Sequence, residues 1–249
     1  MSPQRPRGPR AFTLVELLVV MAIIALLATI GLPALKGFGK GNADAAAHRQ
    51  MLDDIALARL RALSGRTTVY MVFVPAGIAD HAIQLTADAR QLNQLTNLIR
   101  GQYSAYALFA WRSVGAQPGR LNPRYLTEWK RLPDGILIAT NKFDATYMNE
   151  SNEYRRSFRY APFPFPTATS PQRPMPYIAF NSQGQLVPPP DAEPRDELIP
   201  LARGSVFIPD LASRPDVVIS PVNNYTNNYI RINWLTGRAS VDELTRPKF

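Results

Sequence analysis

From Leu17 to Leu35 the chain reads LLVVMAIIALLATIGLPAL, without one charged side chain. At 1.5 Å per residue such a run makes a helix of roughly 28 Å, about the thickness of a bilayer core. A helix laid on a soluble core shows a polar face, and this run shows none. The expectation is a membrane helix. Arg5, Arg7 and Arg10 precede it, so the positive-inside tendency keeps residues 1–11 in the cytoplasm and sends the C-terminal part outward. Lys36 and Lys40 on the far side oppose that orientation weakly.

Two residues set this run apart from an ordinary anchor. Glu16 stands at its head, four residues after Phe12, where an unpaired carboxylate in lipid is costly. One reading lets Glu16 reach back to the headgroups, and the other gives it a cationic partner. Pro33 follows Gly31 near the outer end, where it either kinks the helix or stops it at the membrane surface.

The run Arg10-Ala11-Phe12-Thr13-Leu14-Val15-Glu16-Leu17-Leu18-Val19-Val20 resembles the processing motif of type IV prepilins and pseudopilins. In that family a basic leader precedes Phe-Thr-Leu-x-Glu and an apolar helix. The resemblance implies cleavage between Ala11 and Phe12 by prepilin peptidase, followed by methylation of the Phe12 amine. Ala11 stands where the family usually has Gly. Pro33 falls where pilin helices usually carry a proline. By analogy Glu16 neutralises the Phe12 amine, its own or a neighbour's, during filament assembly. Ordinary signal peptidase is the rival route, because Ala43-Asp44-Ala45 and Ala45-Ala46-Ala47 have the small-x-small form. Both sites lie well beyond the apolar run, which is itself longer than a usual signal core.

Gly37-Phe38-Gly39-Lys40-Gly41 lacks the preceding strand and the Lys-Ser/Thr ending of a phosphate loop, and reads as a flexible exit from the membrane. A second helix is expected from about Asp44 to Ser64. Met51, Ile55, Ala58 and Ala62 form its core-facing stripe, and Arg49, Asp53, Asp54 and Arg61 its polar positions. Strands are expected at Thr67–Val74, Tyr103–Trp111, Gly135–Ala139, Tyr177–Asn181, Leu198–Leu201, Ser205–Ile208 and Tyr229–Trp234, with a short helix at 86–100. Turns fall at Ser182–Gln185 and Thr236-Gly237. Helix first and antiparallel strands after is an α+β plan, here of the pilin-like kind.

Four segments are thus expected: a leader at 1–11, an apolar helix at 12–35, an exit plus amphipathic helix at 36–66, and a β-rich domain at 67–249. Leu52–Arg61, Leu132-Pro133-Asp134-Gly135-Ile136, Ile178-Ala179-Phe180-Asn181 with Gly184, and Ile230–Thr236 with Gly237-Arg238 occur in this order. That order resembles the H-type (FimT-like) minor pseudopilins of type II secretion. Residues 75–131 and 141–176 are longer than that family needs. Prolines at 162, 164, 166, 171, 174, 176 and 188–190 argue against a central strand and for polyproline-like surface loops.

The remaining chemistry is sparse. With no cysteine, disulfides, thiolate zinc sites and Cys nucleophiles are excluded. His48 and His81, the two histidines, have no partner at ligand spacing, and no metal or cofactor is expected. Asp191–Glu197 gathers carboxylates without the spacing of an EF-hand, so a solvated acidic loop is expected there rather than a Ca²⁺ site. Tyr154-Arg155-Arg156-Ser157-Phe158-Arg159-Tyr160 interleaves arginines and rings, as single-strand nucleic-acid binders do. The net charge of +9 on 249 residues is modest for such a role, so Arg155, Arg156 and Arg159 are expected instead in a loop whose rings pack on the sheet. No nucleophile elbow, Walker loop or HExxH occurs, so the chain is not expected to be an enzyme. The function that the resemblance implies is that of a pilin-like subunit. It assembles with other pilin subunits from the bacterial inner membrane into a periplasmic or surface filament. The alternative is a DNA-binding minor pilin of an uptake machine.

Overall fold

The computed structural model describes residues 14–78, 95–112, 121–149, 152–188, 193–209, 215–220 and 228–242, without the side chains of 28 and 30–42. Helix α1 spans Leu14–Gly65 and so covers both expected helices and the residues between them. The chain divides into two compact units, Met1–Asn42 and Ala43–Phe249. The expected helix at 86–100 lies partly outside the described residues, and residues 95–99 of it are helical.

In the second unit α1 ends by a definite device. Arg66 takes a left-handed φ of 45°, its N–H donates to Leu63 O, and the Thr67 N–H donates to Ala62 O. This is the Schellman pattern, which satisfies the last helical carbonyls. Among the described residues eleven strands follow: β1 (Val69–Phe73), β2 (Ala105–Ala110), β3 (Arg124–Tyr125), β4 (Lys130–Arg131), β5 (Ile136–Ile138), β6 (Arg159–Pro164), β7 (Gln172–Phe180), β8 (Glu197–Phe207), β9 (Asp216–Ile219), β10 (Tyr229–Ile232) and β11 (Ala239–Asp242). One sheet runs β3-β2-β1-β7-β6 with β4 also on β2; the other runs β11-β10-β8-β5 with β9 also on β8. Every pairing is antiparallel.

The helical stripe is where the 3.6 period puts it. Met51, Ile55, Ala58 and Ala62 are fully buried. They join Met71, Phe73, Tyr106, Leu108, Ile178 and Phe180 of the first sheet and Ile138, Ile199, Leu201, Ile230 and Ile232 of the second in one core. Alternation along β1 and β2 sends Val72 and Phe109 to the opposite face, into a second core with Leu95, Ile99, Phe163, Phe165 and Met175. A sheet covered on both faces carries few polar residues, and all of β2, AYALFA, is buried.

Three expectations need correction. Pro162 and Pro164 lie in β6 and Pro174 and Pro176 in β7, not in surface polyproline loops; Pro166, Pro171 and Pro188 stand outside the strands, and Pro189 and Pro190 lie outside the described residues. Pro162 and Pro174 face each other across the β6–β7 ladder. Strand β6 is the sheet edge, and the β1–β7 ladder ends at Val72↔Tyr177, just before Pro176. The missing N–H groups thus fall where no ladder bond is required, and Phe163 and Phe165 are core residues. Next, Leu198–Leu201 and Ser205–Ile208 are largely one strand. Gly204 carries β8 through the gap, because a Cβ there would lie 2.4 Å from Val218 O. Last, Asp54 is not on a wet face; it is 4% exposed.

The turns expected at Ser182–Gln185 and Thr236-Gly237 meet beside α1. Gly237 has a φ of +62°, and a Cβ on it would sit 1.9 Å from Gly184 O. Arg59 Nε donates to Thr236 O at 2.7 Å, fixing the second turn to the helix.

Candidate functional site

In the first unit α1 begins at Leu14, with Glu16 in its first turn, where the helix dipole favours a carboxylate. Ala11 and Phe12, the expected cleavage pair, lie outside the described residues, as does the side chain of Pro33. The apolar side chains that follow are all in the open. Leu14 is 80% exposed, Leu18 63% and Leu27 63%, and even Val20 is 44%. They occupy every side of the helix, so no single face could be covered to remove them from water. Each such residue gains about 1.5–3 kcal/mol on full burial. This surface therefore needs an apolar surround. Thr29, within the run, donates its hydroxyl to Leu26 O at 2.7 Å and leaves no polar group for that surround to satisfy. Among the described residues no helix is long and apolar enough to cross a membrane. The exposed stretch Leu14–Leu27 comes to about 21 Å, short of a core of roughly 30 Å, and the rest of the expected span lies beyond the described side chains.

The second unit holds the other candidates. Arg155 is exposed, Arg159 is half-buried, and Arg156 is 5% exposed with Nη2 donating to Asp196 O at 2.7 Å. The rings between them pack inward. Phe158 stacks on Phe73 at 4.5 Å, Tyr160 Oη donates to Phe143 O at 2.7 Å, and Tyr154 meets Tyr229 edge-on at 5.3 Å. Of the acidic segment, Asp191 and Ala192 lie outside the described residues. Asp196 pairs with Arg231, which also holds Glu153 and Asp242. Glu197 pairs with Lys142. His48 Nδ1 lies 2.8 Å from Asp44 O, and Asp44 in turn accepts from Arg203 Nε at 2.6 Å. His81 lies outside the described residues. Among the described residues no group of His, Cys, Asp and Glu is placed to hold a metal.

Two buried ionic groups went unmarked in the sequence. Asp54 accepts from Tyr106 Oη at 2.7 Å and pairs with Lys130, while Gln50 donates to Tyr106 Oη at 2.9 Å. Burial and this carboxylate push the Tyr106 phenol far above its ordinary range. Lys142 is 1% exposed, donates to Arg156 O at 2.8 Å, and lies 4.9 Å from the Phe158 ring centre. Burial lowers its pKa, with Glu197 opposing. Both groups fasten elements together.

The family model for the prokaryotic N-terminal methylation motif matches residues 6–32. No curated protein and no solved structure matches the chain. The match supports a type IV pilin-like protein, and the α+β architecture is compatible with a pilin fold. The motif implies processing by prepilin peptidase and assembly with other pilin subunits.

Proposed function

We propose that this chain is a minor pseudopilin of the H-type pattern, a structural subunit of a type II secretion or type IV pilus-like filament. The observation that carries the reading is the methylation motif at residues 6–32, joined to a helix whose apolar side chains stand exposed on every side. The precursor sits in the bacterial inner membrane through this helix, with its C-terminal domain in the periplasm. Prepilin peptidase cuts between Ala11 and Phe12, and the new Phe12 amine is methylated.

Assembly then moves the helix from lipid into a bundle of its neighbours' helices. A charged amine at Phe12 is expensive there unless paired, and Glu16, one turn further on, supplies the counter-charge. Pro33 bends or ends the apolar segment near its outer end. The role is assembly, not catalysis. Mass spectrometry of the mature N-terminus is the test. A chain beginning at methylated Phe12 is expected, whereas a start near Ala46 or His48 would replace this reading with ordinary secretion.

A further inference from the structure

Between the start of β6, the middle of β7, the start of β8 and the turn after β10 lies a cavity of about 60 Å³. Three arginines line it, Arg156, Arg159 and Arg195, together with Ser157, Glu197, Tyr177 and Trp234. The ladder places Arg159 opposite Tyr177, so one guanidinium and one ring share a wall.

The charges in this wall do not balance. Glu197 is the carboxylate among the lining residues, and Lys142 already holds it. None of the ion pairs among the described residues uses Arg159 or Arg195. Burial disfavours the charged Arg156 guanidinium, and the nearby charges of Arg195 and Arg159 add to that while Glu197 and Glu153 oppose it. Ser157 is 2% exposed, and its Oγ is buried without a hydrogen-bond partner among the described residues. A buried hydroxyl without a partner is costly. Crowded guanidiniums and an orphan hydroxyl describe a site for an anion.

We propose that this cavity binds an organic carboxylate. Arg159 and Arg195 grip its oxygens, Arg156 and Ser157 stand behind them, and its apolar body rests on Tyr177 and Trp234. Size and the lining choose this ligand among anions. The space holds a carboxylate and a few carbons but no nucleobase. The aromatic walls give an organic acid apolar contact that an inorganic ion cannot use. The carboxylate comes either from a small free acid or from an acidic side chain of a docked protein, and the chemistry of capture is the same.

Calorimetric titration of the full chain in non-ionic detergent, at constant ionic strength, tests this with propionate, with N-acetyl-Gly-Glu-Gly-amide and with inorganic phosphate. Saturable one-to-one binding of a carboxylate is expected. Affinity should fall about tenfold for each guanidinium lost in the R159Q and R195Q variants, and should fall measurably in Ser157→Ala. Tighter binding of the peptide points to a protein side chain, and tighter binding of propionate to a free acid. Phosphate binding as tightly as either carboxylate overturns the assignment, as does the absence of saturation. Unchanged affinity in the double arginine variant overturns it too. Both arginines are half-buried, so that variant is expected to keep the parent's circular dichroism; where it does not, Ser157→Ala decides, and unchanged affinity there counts against the proposal.

Discussion

Replacing Asp54 by Ala tests the contact that holds α1 to the first sheet. Tyr106, 1% exposed, would lose the acceptor for its hydroxyl, which costs about 1–3 kcal/mol for a buried donor. The Lys130 side chain is 40% exposed, so its ammonium rehydrates and its share stays below about 1 kcal/mol. The expected loss is therefore about 1–4 kcal/mol. Asp54→Asn keeps an acceptor for Tyr106 and gives up the charge, so about 1 kcal/mol is expected. Tyr106→Phe removes the donor instead, and the Asp54→Ala/Tyr106→Phe double variant should lose less than the sum of the two. Urea titration of an Ala43–Phe249 fragment, followed by circular dichroism, measures all four. An Asp54→Ala variant within about 0.5 kcal/mol of the parent would refute a helix packed through this carboxylate on β2.

The fragment itself is expected to fold, because the second unit contains the whole of the main core; insoluble protein from every start between about residues 38 and 48 would contradict this. Glu16→Ala should block filament assembly while cleavage and insertion persist, and normal filaments by electron microscopy would show that the carboxylate has no pairing role. Arg66→Gly should stabilise the fragment by about 0.5–1 kcal/mol in the same urea titration, since glycine accepts the left-handed φ that Arg66 holds. Alkaline pH should destabilise it. Burial pushes the phenols of Tyr106, Tyr125 and Tyr160 up, the last to about 12. The folded chain keeps protons that the unfolded chain releases from about pH 10, so this stability is whole below that pH and falls above it. Lys142, depressed by burial, works the other way but is outnumbered, and equal urea midpoints at about pH 9 and about pH 11 would contradict the tyrosine burial.

How far the fold could be read depended on whether the deciding contact was local. The stripe Met51-Ile55-Ala58-Ala62 was legible because helical spacing alone puts those residues on one face. Strands β1, β2, β5 and β10 were legible from branched and aromatic runs. The prolines of β6 and β7 misled because the rule against proline applies to a central ladder, and nothing in the local sequence tells that β6 lies at an edge. For a similar reason the gap expected between Leu201 and Ser205 is bridged, by Gly204. Its small size serves the approach of Val218, a residue on another strand. Asp54 sits beside another carboxylate, Asp53, in sequence, and the donor that lets it be buried, Tyr106, is 52 positions away.

The two functional features differ in the same respect. A processing enzyme reads a contiguous stretch of chain, so the residues that would direct cleavage and methylation must lie side by side, and a linear motif can carry them without any fold. The match at residues 6–32 is of that kind. The carboxylate cavity is drawn from four places, at Arg156–Arg159, Tyr177, Arg195–Glu197 and Trp234. In the sequence Arg155 and Arg156 stand together, which suggested one basic stripe. The fold separates them: Arg155 is left in solvent and Arg156 is buried. Arg195, thirty-nine positions on, stands with Arg156 in their place. An arginine triplet chosen by adjacency and one chosen by geometry therefore make different predictions. Arg155→Ala should leave carboxylate affinity unchanged while Arg195→Gln lowers it about tenfold, and the reverse order would restore the stripe.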